Sequence, residues 1–191
     1  MKAFVTLFVS SPNEITHYHM DHTWNFLLQL SGRKTVHLFD QHDRNVLRQV
    51  DIENFYAGVS NLARREGIEG VAYDLQPGEG VHHPVNAPHW VQNGPVVSVS
   101  LSLGLCLYQS NKEAKVHQVN YLLRKLRLDP IAPGKSVMRD DAKQRLINLF
   151  SDRDATSFNS VVYSGFQRLT LPARAIAKLK RIAAQALNRS N

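Results

Sequence analysis

The chain predicts a mainly β domain, a sandwich or barrel of short strands, followed by a helical region. Three observations carry this expectation. Strand-like runs broken by turn residues fill the first hundred positions; apolar and hydroxyl side chains alternate from Val96 to Leu103; and the spacing becomes helical from about Lys112. With 191 residues, 43% hydrophobic and 20% charged, the sequence is large enough to bury a real core in one domain. Disordered, collagen-like and disulfide-stapled classes are excluded. A single cysteine, Cys106, has no internal partner, and apolar runs such as Phe4 to Val9 are too short for a membrane span or a signal-peptide core. A soluble protein of a reducing, cytoplasmic compartment is therefore expected.

The elements follow in order. Ala3 to Ser10 is apolar and β-branched, and Ser11-Pro12-Asn13 ends it with turn chemistry. Asn25 to Leu30 and Lys34 to Phe39 flank Ser31-Gly32-Arg33, which reads as a hairpin connection. The segment from Asp40 to Gly70 reads as a loop carrying one helix around Asn54 to Glu66. Val71 to Leu75 opens a second β block, Pro77-Gly78 turns it, and Gly80 to Asn93 leads to the turn at Gly94-Pro95. The alternation after that turn is the period-two pattern of a strand with one buried face. Beyond it, Val116, Val119, Leu122, Leu123 and Leu126 recur at helical spacing until Asp129-Pro130, and Leu146, Leu149 and Phe150 suggest another helix. Pro172 stands where a helix can start, with Ile176, Leu179, Ile182, Ala183 and Ala186 along one face.

Charge divides along the same boundary. Residues 1–111 carry seven Lys and Arg against ten Asp and Glu, whereas residues 112–191 carry sixteen against six, so the net +7 belongs to the C-terminal part alone. Two regions are expected, a β-sandwich over 1–111 and a basic helical extension over 112–191 that packs on it or forms a dimer interface. The basic helices suit solvent, a partner protein or an anionic surface. Nucleic-acid binding has little support, since no helix-turn-helix or zinc-finger pattern is present.

Chemistry concentrates in the histidines. Six of the nine fall in Thr16-His17-Tyr18-His19-Met20-Asp21-His22 and in His82-His83-Pro84-Val85-Asn86-Ala87-Pro88-His89-Trp90. Side chains two apart on a strand share a face, so two of His17, His19 and Asp21 can chelate a cation, and His89 is the natural third ligand from a neighbouring strand. Two imidazoles and one carboxylate form the facial triad of non-haem iron(II) oxygenases. The set His17, His19 and His89, with Asp21 demoted, is the open alternative. His22, His82 and His83 read as supporting or surface groups, and Trp24 and Trp90 as core or pocket wall.

Several spacings agree together. Thr16 precedes His19-Met20-Asp21 by three positions, Asn25 follows His19 by six, and the strand Phe26 to Leu30 leads into Gly32-Arg33-Lys34. Downstream stand Pro77-Gly78-Glu79, Pro84, His89 and Asn93, with Asn86 where a second glycine is usual. In this register, from Phe4 to Leu103, the sequence resembles the JmjC and cupin-like iron(II), 2-oxoglutarate-dependent oxygenases, including protein hydroxylases related to the asparaginyl hydroxylase of hypoxia signalling. The resemblance implies a double-stranded β-helix, the jelly-roll of the cupin and JmjC folds, with His19, Asp21 and His89 as Fe(II) ligands. It also implies that Lys34 pairs with the distal carboxylate of 2-oxoglutarate, assisted by Thr16 and Asn25. Larger members wrap the barrel with further N-terminal strands and helices, so a compact or a truncated form is expected here.

Two functions follow. One is a hydroxylase that couples decarboxylation of 2-oxoglutarate to oxidation of a protein side chain, a peptide or a small metabolite. The other is a non-enzymatic metal-binding sensor or regulatory module whose basic helices meet a partner. A homodimer through the stripe from Ile176 to Ala186 is expected in either case. Because the ligands lie on different arms, the segment from His19 to Trp24 must bend.

Overall fold

Short strands that each have one side chain in two pointing inward have to be stacked in two layers. A computed structural model describes residues 1–59, 62–155, 157 and 159–172. Its strands are β1 (Lys2–Ser10), β2 (Ile15–His19), β3 (Trp24–Ser31), β4 (Lys34–Leu38), β5 (Val71–Leu75), β6 (Gly80–His83), β7 (His89–Asn93) and β8 (Ser98–Cys106). They form two antiparallel four-stranded sheets, ordered β1-β8-β3-β6 and β2-β7-β4-β5. The chain changes sheet between β1 and β2, β2 and β3, β3 and β4, β5 and β6, β6 and β7, and again β7 and β8. The result is the expected jelly-roll sandwich.

This winding corrects the reading of Ser31-Gly32-Arg33 as a hairpin. β3 pairs with β6 and β8, β4 with β5 and β7, and the three residues turn a corner between layers. Gly32 has φ 72°, and a Cβ there would stand 2.6 Å from the Val97 carbonyl oxygen, so glycine is required. The physical reason is that Leu27 on β3 and Val36 on β4 meet as opposing halves of one core, with Leu75 and Val91. A hairpin would have left both in the same layer.

Helices close one side. α1 (Gln49–Tyr56) lies earlier than the Asn54-to-Glu66 expectation, begun where the Asp51 carboxylate accepts from the Arg48 backbone N–H and guanidinium. α2 (Tyr108–Lys125) starts before Lys112, α3 spans Val137–Asn148, and a further helical stretch over 159–172 already includes Pro172. Ala114 and Val162 from this part share a core with Met20, Phe39, Leu47 and Tyr56. Of the expected α2 stripe, Val116 and Val119 are buried while Leu126, past the helix end, is exposed. The stripe from Ile176 to Ala186 and the cations Arg174, Lys178 and Arg181 lie outside the described residues. No helix among the described residues is long and apolar enough to cross a membrane.

Candidate metal centre

β2 carries a register irregularity between Thr16 and His19 and ends at His19, after which the chain crosses from the second sheet and enters the first at Trp24. That crossing supplies the bend the ligand spacing demands. It sets His19 at the strand end opposite His89 of β7, and Asp21 in the crossing segment. The ligand atoms of His19, Asp21 and His89 all lie within 4.8 Å of one another, and His89 Nε2 stands 4.0 Å from Asp21 Oδ2. Metal bonds to imidazole and carboxylate are about 2.0–2.2 Å, so the three tips are within reach of one ion.

The backbone orients each imidazole. His19 Nδ1 donates to the His17 carbonyl at 2.6 Å and His89 Nδ1 to the Ala87 carbonyl at 2.9 Å. A carbonyl only accepts, so both rings carry their proton on Nδ1 and leave an Nε2 lone pair for a cation. His17 is exposed and enters through its carbonyl, not its ring. Asp21 is held in turn: Asn25 donates its amide to Asp21 Oδ2 at 2.6 Å, and Thr23 donates to the Asn25 amide oxygen at 3.1 Å. The Asn86 N–H donates to the Asp21 carbonyl at 2.7 Å, and Tyr56 in α1 donates to the Asn86 side chain at 2.9 Å. Asn86 has φ 62°, a conformation that asparagine tolerates better than most residues, which explains how it serves where glycine is usual.

The triad faces a cavity of about 520 Å³ between the sheets, a volume ordinary for a small-molecule site. Thr16, Asn25 and Lys34 all line it, with Phe4, Phe8 and Leu27 as apolar wall. Lys34 is 6% exposed, burial holds its ammonium below the usual lysine range, and no carboxylate among the described residues lies within 4 Å of it. Along β7, Lys34 stands opposite Asn93, four residues from His89, an interval of about 13 Å at the backbone. A metal triad at one end and an uncompensated cation at the other suit a ligand with two acidic ends.

Sequence reasoning missed two contributors, Ser157 and Asn159, and left a third, His83, between a supporting and a surface role. His83 faces the cavity with its ring 4.4 Å from that of His89, and burial with the neighbouring His89 and His19 pulls its pKa down to about 3. Ser157 and Asn159 reach the same cavity from the helical region. Pairing of β3 with β6 sets His83 beside Asn25, a neighbour relation that no spacing along the chain reveals. His22 also lines the cavity, its pKa pulled by burial to about 4, whereas His82 points to the other side of β6 between Trp24 and Phe26.

The profile of the cupin-like domain matches residues 2–163. No curated protein sequence matches. Among solved structures, a cupin superfamily protein of Desulfitobacterium hafniense is similar at 15% identity and a TM-score of 0.37, covering 55% of this chain and 68% of that one. The CENP-C cupin domain of Drosophila melanogaster gives 13% and 0.39, over 53% and 59%. KdgF from a Halomonas species gives 13% and 0.36, over 53% and 68%.

Proposed function

The chain belongs to the cupin-like domain family, and on that premise we propose that it is an Fe(II)- and 2-oxoglutarate-dependent oxygenase. The observation that carries the proposal is Lys34: a buried ammonium without a counter-ion among the described residues, in the same cavity as two imidazoles and a carboxylate. Burying such a charge is unfavourable until an anion joins it. Imidazole and carboxylate donors suit iron, and a three-ligand set leaves positions for a chelating 2-oxo acid and for dioxygen. Fe(II) bound there supplies the redox chemistry that couples decarboxylation of the 2-oxo acid to hydroxylation of a C–H bond.

The residues supply binding and orientation. His19 and His89 offer Nε2, with Nδ1 tied to the backbone; Asp21 offers a carboxylate that the Asn25 amide holds in place. Lys34 takes the distal carboxylate, and the Thr16 hydroxyl donates beside it. Phe4, Phe8 and Leu27 keep water from the reacting end, and Ser157 and Asn159 stand where a protein side chain, peptide or small metabolite would enter. A cytoplasmic location and a homodimer belong to the same reading, the first supported by the lone, buried thiol of Cys106.

The test is an anaerobic titration with Fe(II) and 2-oxoglutarate, followed by succinate detection after oxygen is admitted. The expected result is a visible charge-transfer band and succinate, both lost in Asp21→Ala and Lys34→Ala. A folded protein that shows neither band nor succinate with both additions overturns the assignment.

A further inference from the structure

A second cavity, of about 410 Å³, lies between α1, the start of α2 and the turn that joins β6 to β7, and it shares no lining residue with the triad cavity. α2 presents its N-terminal end there. Leu107 is the N-cap, and Leu107, Gln109 and Ser110 all line the wall. An α-helix leaves its first N–H groups without intrahelical acceptors. A leucine cannot cap them, no acidic residue stands in the first turn, and the helix runs 18 residues. A partial positive charge is therefore left uncompensated at the cavity.

His117 reaches the same cavity from the third turn of α2 and is a separate observation. It is 6% exposed, Nδ1 is wholly buried without a partner, and no described residue hydrogen-bonds to the ring. The imidazole stacks on Tyr56 at 5.5 Å, a contact that occupies one face and not the nitrogen-bearing edge. Burial, with Lys143 and Arg44 nearby, pulls its pKa down to about 3, so the neutral ring offers one N–H and one lone pair. A buried polar edge left unpaired is unfavourable, and a ligand in the cavity would relieve it. Arg44 lines the cavity as well. Ion pairs within 4 Å go to Arg48, Arg65, Arg124 and Arg168, so Arg44 has no carboxylate that close among the described residues. One carboxylate does line the wall: Glu113, which accepts from the Gln109 amide at 3.0 Å.

We propose that this cavity is a second ligand site, for a small molecule whose carboxylate sits among Arg44, the Ser110 end of α2 and the His117 ring, with an adjacent ammonium facing Glu113. Charge selects that class. Arg44 and the helix end supply about one and a half positive charges and Glu113 removes one, which suits a single negative charge beside a donor and disfavours a dianion. The site is independent of the oxygenase reading.

The experiment is a titration of the ¹⁵N-labelled full chain with glycine, acetate and inorganic phosphate at constant ionic strength, followed by amide and arginine side-chain resonances. Glycine should give saturable shifts at Gln109, Ser110 and Arg44, with affinity at least threefold above that of acetate. These shifts should persist in Lys34→Met, which removes the cation of the triad cavity. Arg44→Gln and His117→Phe, the latter keeping a ring on Tyr56, should each raise the glycine dissociation constant at least tenfold. Arg44 is exposed, so its variant tests the site even if His117→Phe does not fold. No saturable shift at the start of α2 up to about 50 mM, far above a millimolar dissociation constant, overturns the proposal. So does unchanged affinity in Arg44→Gln, or phosphate binding more tightly than glycine. Shifts confined to Thr16, Asn25 and Lys34 and lost in Lys34→Met would also overturn it, while leaving the oxygenase reading in place.

Discussion

The two sides of the β1-β8-β3-β6 sheet are made by the same three long strands, yet they have opposite chemistry. Inside, Gln29 donates to Ser98 at 2.9 Å and accepts from Ser100 at 2.8 Å, so a polar network sits in the interior with its bonds satisfied. Outside, leucines and valines face away from the core. The difference teaches that alternation reports which residues share a side, not which side is buried. Here the inner side lines a cavity for charged groups, and the apolar side is left for packing against something else.

The sharpest test of this contrast compares adjacent residues. Leu27 points inward at 7% exposure and Leu28 outward at 43%. In denaturant unfolding, Leu27→Ala should cost about 3 kcal/mol, and Leu28→Ala less than about 1 kcal/mol. Equal costs would break the comparison.

Next is Lys34, inside but without a counter-ion among the described residues. Lys34→Met should weaken 2-oxoglutarate binding by about 10- to 100-fold in anaerobic calorimetry, the value of one charge-assisted contact, while leaving Fe(II) affinity unchanged and the melting temperature equal or higher. A drop in melting temperature would mean that Lys34 has a structural anion instead. Asn25→Ala, which frees Asp21 Oδ2, should lower metal affinity by roughly tenfold, a supporting-residue effect measured by competition with a chelator.

The smallest effect is on acid stability. Burial pulls His83 and His117 to about 3, well below the value in the unfolded chain. Between that value and about 6.5 the unfolded state binds more protons than the native one, so stability is complete above pH 6.5 and falls as pH drops toward 3. The slope should reach at most ~1.4 kcal/mol per pH unit for each histidine. His117, which stacks on Tyr56 away from the triad, allows a check: the difference between thermal melts at pH 7.5 and 5 should be smaller in His117→Gln than in the wild type, the His83 contribution remaining. An unchanged pH dependence would remove it from this account.

Much of the centre was legible in the sequence because it is local. His19 and Asp21 are two apart, Asn25 and Lys34 keep fixed spacings from them, and His89 follows a turn whose prolines and asparagine punctuate plainly. What escaped or stayed open is non-local. His83 reaches the cavity only because β6 pairs with β3, and Ser157 and Asn159 only because the helical region folds back on the sandwich. The turn at Gly32 was misread for a related reason: turn residues announce a reversal, but whether it joins neighbours in one sheet or crosses between two is settled by the core that Leu27 and Val36 share. The alternation from Val96 to Leu103 marked β8 correctly, while the burial of its serines depended on the partners that Gln29 provides.

The most direct test of the central claim, that three side chains from two sheet-crossing segments hold one ion, is Mn(II) binding followed by electron paramagnetic resonance on metal-free protein. One ion per chain is predicted, with affinity lowered at least a hundredfold in each of His19→Ala, Asp21→Ala and His89→Ala, and unchanged in His17→Ala. Wild-type affinity retained in any of the first three, or lost in His17→Ala, would contradict the assignment.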